Sequence, residues 1–207
     1  MKLNIRRRAK KRLPARVKQP LMVPAGINVT WSMNFMTDAL VSGRKFRTLN
    51  ILDDFNREVL SIEIDFSLPA LRVIRVLNDL IAWRGTPQSI RVDNGPEFIS
   101  QVLTMWCEDH QIKLQFIQPG NPTQNAYIER FNRSFRRGVL DAYLFETLEQ
   151  VREVAEEWII DYNTERPHDS LGNRSPLDLW EPFGEVPKTQ REQPPLNRFE
   201  LSNLELS

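Results

Sequence analysis

The order in which apolar periodicities change along the chain constrains its fold more than any single residue does. Val29, Trp31, Met33 and Phe35 recur at every second position, with Thr30, Ser32 and Asn34 between them, the mark of a strand with two unlike faces. Gly43 punctuates a turn, and Phe46 to Asp53 reads as a second strand rich in Leu and Ile. Leu60, Ile62 and Ile64 alternate with Ser61 and Glu63 in a third. Three strands joined by short connections predict an antiparallel meander. The period then lengthens. Val73, Val76, Leu77, Leu80 and Trp83 recur at helical spacing up to Gly85, with Ser67 as the expected cap and Pro69 in the first turn. Ser89 to Val92 is a short buried strand that ends in Asp93. A helix is expected from Pro96, with Phe98, Val102, Met105 and Trp106 as its apolar face, then a strand from Ile112 to Ile117. A helix from about Thr123 puts Ile128, Phe131, Phe135 and Val139 on one face. Thr147 and Gln150 form a capping-box pattern ahead of an amphipathic helix through Leu148, Val151, Ala155, Trp158 and Tyr162. The whole order predicts an α/β domain with a mixed five-stranded sheet flanked by helices.

Three strings inside this pattern carry more information than composition does. The first is Arg91-Val92-Asp93-Asn94-Gly95-Pro96-Glu97-Phe98, an apolar strand running into an acid and a Gly-Pro turn. The second is Asn125-Ala126-Tyr127-Ile128-Glu129-Arg130-Phe131-Asn132, which places Glu129 early on a helix. Between Asp93 and Glu129 lie 35 residues, and Arg136 follows seven after the glutamate, nearly two helical turns on and so on the same side. The third is Tyr162-Asn163-x-x-Arg166-Pro167-His168-x-Ser170-Leu171. Alone, Asp93 is a natural turn-former in Asp-Asn-Gly and Glu129 an ordinary exposed helical glutamate. Their joint occurrence in ordered strings is not ordinary. The strings resemble the catalytic core of DDE transposases and retroviral-type integrases, in particular the second-frame (OrfB) transposase of the insertion-sequence-three family, with its D-N-G-x-E-F and N-A-x-x-E-R-F-N signatures. The resemblance covers roughly residues 28 to 180.

It implies a ribonuclease-H-like α/β fold and the integration chemistry of a bacterial insertion sequence: strand cleavage at element ends, then strand transfer by the freed 3′-hydroxyl. It implies Mg²⁺ (or Mn²⁺), two ions with DNA bound, held by carboxylates from separate segments. The implied catalytic and metal-binding positions are Asn34, Asp93 and Glu129, with Arg136 as a phosphate contact. Asn34 is a departure. The family reads Trp-Ser-Met-Asp-Phe where this chain reads Trp31-Ser32-Met33-Asn34-Phe35. An amide keeps the size and one oxygen of the carboxylate but loses its charge, so impaired activity is expected. Asp38, Asp53 and Asp54 read as separate acids rather than substitute ligands. His110 and His168 with the single Cys107 cannot make a His-His-Cys-Cys zinc module, and His168 reads as a loop residue. Two rivals stand beside the transposase reading: a catalytically silent DNA-binding remnant or regulator of transposition, and a ribonuclease-H-like nuclease acting on an RNA–DNA hybrid.

Composition adds a charge asymmetry. The net charge of +1 conceals nine Lys or Arg and no acid in residues 1 to 20, which leaves 19 basic against 27 acidic residues in the remainder, a net of −8. A basic arm on an acidic body suggests a polyanion partner, and Arg6, Arg7, Arg8, Lys10, Lys11 and Arg12 are the expected contacts. The expected organisation is a basic arm over 1–27, resembling the truncated end of an upstream DNA-binding region, a core over 28–180, and a polar, proline-rich tail over 181–207. One cysteine excludes an intrachain disulfide, and no apolar run approaches the roughly 20 residues of a membrane span. The expected setting is the bacterial cytoplasm, on nucleoid DNA, with a homo-oligomer assembled on paired DNA ends.

Overall fold

The computed structural model describes residues 23–117 and 125–180. Five strands form one sheet: β1 (Thr30–Ala39), β2 (Lys45–Asp53), β3 (Val59–Asp65), β4 (Ser89–Val92) and β5 (Lys113–Phe116). Their spatial order is β3-β2-β1-β4-β5. The first three make the antiparallel meander, with Trp31 opposite Asp53 and Ala39 opposite Lys45, and a bulge interrupts the β2–β3 pairing at Ile51/Leu52. β4 and β5 add in parallel, because the helices α1 (Ala70–Arg84) and α2 (Gln101–Asp109) carry the chain back to the same end each time. The sheet is therefore mixed, and its order is that of the ribonuclease-H-like fold.

The two faces of β1 separate the molecule into two cores. Trp31 and Met33 point with Leu49, Ile51, Ile90 and Val92 towards α1 and α2. Met36, Phe46, Ile62 and Ile64 point the other way, towards α3 (Ala126–Phe135) and α4 (Leu148–Thr164). Each large side chain removed fully from water in these layers stabilises the fold by about 1.5–3 kcal/mol. Phe131 and Phe135 meet Tyr162 and Trp158 edge-on at ring separations of 5.4 and 5.3 Å, which locks α3 on α4. Gly138 lies under Trp158, where a Cβ would stand 2.6 Å from the indole nitrogen, and α3 widens into a π turn over Arg136–Leu140 at this contact. α4 opens on the expected capping box, Thr147 accepting from the Gln150 backbone and the Gln150 side chain returning the bond.

Three local expectations are corrected. Pro69, not Ser67, occupies the cap of α1. Pro96 opens a turn rather than a helix; Phe98 and Ile99 N–H groups both donate to the Gly95 carbonyl, and α2 begins only at Gln101, capped by Ser100. The buried face of α2 is Leu103, Trp106 and Cys107, while Val102 and Met105 are about half exposed. Phe98 lies in the turn before α2 and not on its face, so the stripe drawn through it with Val102 and Met105 does not hold. Arg6, Arg7, Arg8, Lys10, Lys11 and Arg12, the start of the helix expected from Thr123, and the 181–207 tail lie outside the described residues.

Candidate active site

β1 and β4 run parallel, and their last paired residues are Ser32 and Arg91. Two residues further along each strand stand Asn34 and Asp93. Both share the face of Ser32 and Arg91 by the two-residue period, and neighbouring strands lie about 4.8 Å apart. Asn34 is half-buried and stands opposite Asn50 of β2. The Asn50 side chain donates to Asn132 of α3 at 2.7 Å, and Asn132 is three residues past Glu129, a neighbouring position on the helix surface. Glu129 itself is exposed in the first turn of α3, while Ile128 and Phe131 beside it are buried. Continued past its last pair, the β1–β4 register leads to Asn34 and Asp93 as neighbouring positions on the face of β1 and β2 against which α3, carrying Glu129, packs.

The string after β4 is explained residue by residue. Asp93 Oδ1 accepts from the Gly95 N–H at 2.8 Å, leaving Oδ2 free of any hydrogen bond among the described residues. A Cβ on Gly95 would lie 2.9 Å from that same Oδ1, so a larger residue here would displace the Asp93 carboxylate. Asn94 donates to the Ile117 carbonyl just after β5. Glu97 pairs with Arg47 of β2, which holds its carboxyl below the usual range, and buried Phe98 stacks on Phe35 at 4.8 Å. Glu97 and Phe98 therefore pin the turn that carries Asp93, and neither is free for chemistry.

Asp38, Asp53 and Asp54 each have other partners and do not take the place left by Asn34. Asp38 accepts from Arg136 at 3.2 Å. Asp53 accepts from the Asn28 and Phe55 N–H groups and pairs with fully buried Arg84, though burial still raises its carboxyl above the ordinary value. Asp54 is buried between Ser32 Oγ and Arg91 Nη1, both at 2.6 Å; burial pushes it up to about 6 against the pull of those two partners. Among the described residues no three His, Cys, Asp or Glu side chains form a group that could hold a metal ion. Arg136 lies along the surface with its guanidinium engaged: Nη1 meets Asp38, Nη2 donates to the Thr37 carbonyl at 3.1 Å, and Asp141 lies 3.6 Å away. Sequence reasoning missed Asn50, Asn132, Arg47 and Glu97 as the residues that position this site. Asn50 had left a signal, a lone amide inside Leu49-Asn50-Ile51-Leu52.

Two integrase core domain models match the chain, one over residues 25–122 and one over 110–176. An insertion element IS476 protein of Xanthomonas euvesicatoria is 41% identical over 177 residues, covering 86% of this chain and 51% of that protein. An insertion element IS407 protein of Burkholderia multivorans is 40% identical over 177 residues, covering 86% and 64%. The chain thus spans between half and two thirds of these relatives. Among solved structures, the HTLV-2 integrase catalytic core domain in complex with magnesium superposes with a TM-score of 0.58 at 17% identity, covering 73% of this chain and 95% of that one, which is a likeness of fold. No described helix is long and apolar enough to cross a membrane. Residues 25–176 are an integrase core domain, of the kind shared by insertion-sequence transposases and retroviral-type integrases.

Proposed function

We propose that this chain is the catalytic core of an insertion-sequence transposase that cleaves and joins DNA, with activity impaired by the amide at position 34. The observation that supports this best is the parallel β1–β4 register, which leads to Asn34 and Asp93 as neighbouring positions on the face against which the helix of Glu129 packs. The donor set suits a hard divalent cation such as Mg²⁺ or Mn²⁺: two carboxylates and one amide, all oxygen ligands. It falls one negative charge short of the family pattern. Bound metal would supply Lewis-acid activation of the attacking and leaving oxygens. The chain's own part is positional. Gly95 fixes one oxygen of Asp93, the Asn50–Asn132 bond fixes the depth of α3, and Glu129 faces solvent where a strand of DNA can approach. A phosphate contact from Arg136 would require release of its guanidinium from Asp38 and Thr37. The remaining parts of the proposal are a basic arm (1–27) that adds non-specific DNA affinity, a tail (181–207), an oligomer on DNA ends, and a place on the bacterial chromosome in the cytoplasm.

A catalytically silent DNA-binding regulator is the second reading, favoured by one observation: among the described residues no other acid joins Asp93 and Glu129 to make a metal-binding group. Cleavage of element-end DNA in Mg²⁺ separates the two, comparing the chain with its Asn34→Asp variant, each supplied with an upstream DNA-recognition region. The parent is expected to be slower by orders of magnitude, since about 1.4 kcal/mol of lost preorganisation is tenfold in rate. Equal rates would remove Asn34 from the ligand set.

A further inference from the structure

The third sequence string has work left over once the fold is explained. Tyr162 and Leu171 are core, and buried Asn163 bonds both backbone groups of Val59. Arg166 and His168 are not used in this way. The His168 ring stands edge-on to Tyr162 at 4.8 Å, and its Nε2 is buried without a partner. The Arg166 guanidinium lies 5.6 Å from the same Tyr162 ring. From the β2–β3 turn, Arg57 enters the neighbourhood with a left-handed backbone (φ 64°), its guanidinium 3.4 Å from the centroid of Tyr127 in the first turn of α3. Arg57 is 6% exposed, donates to the Phe55 carbonyl, is also held by the Tyr127 hydroxyl, and keeps a buried Nε with no partner. Arg130, exposed and next in sequence to Glu129, acts electrostatically on both Tyr162 and His168. None of Arg57, Arg130 and Arg166 is ion-paired among the described residues.

A buried guanidinium with an unmatched donor, two more guanidiniums and an unmatched imidazole nitrogen make a concentration of positive potential that an anion would offset. We propose that Arg57, Arg130, Arg166 and His168 form a phosphate-binding recess at the N-terminal end of α3, and that it takes a backbone phosphate of DNA. Arg130 and Arg166 form its accessible rim, and Arg57 with His168 its floor. Two further observations agree. Burial and the three arginines, Arg166 foremost, hold His168 down to about 4, opposed by Asp169, so the imidazole stays neutral among them. Asp54 is the one acid that bears on Arg57, and it is already bonded to Ser32 and Arg91.

The proposal rests on the DNA-processing reading above, but its test needs no catalysis. The full chain and Arg166→Gln are titrated with a fluorescent duplex at several salt concentrations. Losing one phosphate contact flattens the slope of log affinity against log salt by about 0.9, and Arg166→Lys restores it. In parallel, the ring resonances of the chain's two histidines are followed by NMR. Those of His168 are expected to move on adding duplex, while those of His110, stacked on Trp106 in α2, serve as the internal control. An unchanged slope with an unmoved His168 overturns the recess and leaves the DNA reading standing. Movement with inorganic phosphate but not with duplex overturns the assignment to DNA. Failure of the parent to bind duplex at all removes both the recess and the function it rests on.

Discussion

Asp54 lies one strand step below the candidate site, bonded to Ser32 on the strand of Asn34 and to Arg91 on the strand of Asp93. It thereby ties together the two strands that carry the chemistry. Burial raises its carboxyl from 3.8 to about 6, so the folded chain holds a proton that the unfolded chain has lost between those values. The stability contributed by that proton is fully present below about pH 4 and disappears as pH rises through 6. The gap corresponds to about 3 kcal/mol. His168 contributes the opposite slope, because its depressed value makes the folded state lose stability as pH falls from 6.5 towards 4. Comparing the parent with Asp54→Asn cancels that contribution. The parent's urea midpoint should drop relative to the variant's between pH 4.5 and 7. Parallel midpoints at the two pH values would show that Asp54 does not titrate in this window.

At the scale of elements, the end of α4 is fastened to β3 by one side chain. Asn163 Oδ1 accepts from the Val59 N–H at 2.9 Å and its Nδ2 donates to the Val59 carbonyl at 3.0 Å, so a side-chain amide stands in for a strand partner. Asn163→Ala would leave two buried backbone groups unpaired, at about 1–3 kcal/mol each. Asn163→Asp keeps the acceptor but sets a buried carboxylate oxygen against the Val59 carbonyl, and at neutral pH should cost at least as much. A loss below about 0.5 kcal/mol for Asn163→Ala in chemical denaturation would contradict the clamp. The sequence showed the string containing Asn163 but not its task, because the partner is 104 residues away. A separation of 50 residues likewise hides the pairing of Glu97 with Arg47, and with it the reason Pro96 opens a turn instead of a helix. Periodicity made the strands, their order and the buried stripes of α3 and α4 legible. Family strings made Asn34, Asp93 and Glu129 legible. The amide pair Asn50–Asn132 needed the packing of α3 on β2 to become visible.

Over the whole molecule, the face of the sheet under α3 is divided. Its β2–β3 end is apolar core, with Phe46, Ile62 and Ile64, while its β1–β4 end carries Ser32, Asn34, Arg91 and Asp93. Ser32 and Arg91 are joined through buried Asp54 and so serve the fold, which leaves Asn34 and Asp93 as the part of the polar half whose arrangement reflects a ligand. That argument predicts how stability and metal binding are coupled. Asn34→Asp would set two carboxylates on neighbouring strands roughly 5 Å apart, a repulsion of about 1–3 kcal/mol at an effective dielectric between protein surface and water. Without metal the variant should therefore melt below the parent. A cation that binds the folded state alone stabilises it by mass action, and the third carboxylate raises its affinity. Added Mg²⁺ should raise the melting temperature of the variant more than that of the parent, closing the gap between them. Equal Mg²⁺ shifts in the two proteins would show that Asn34 does not face the site of Asp93 and Glu129, whatever the fold of the strands around it.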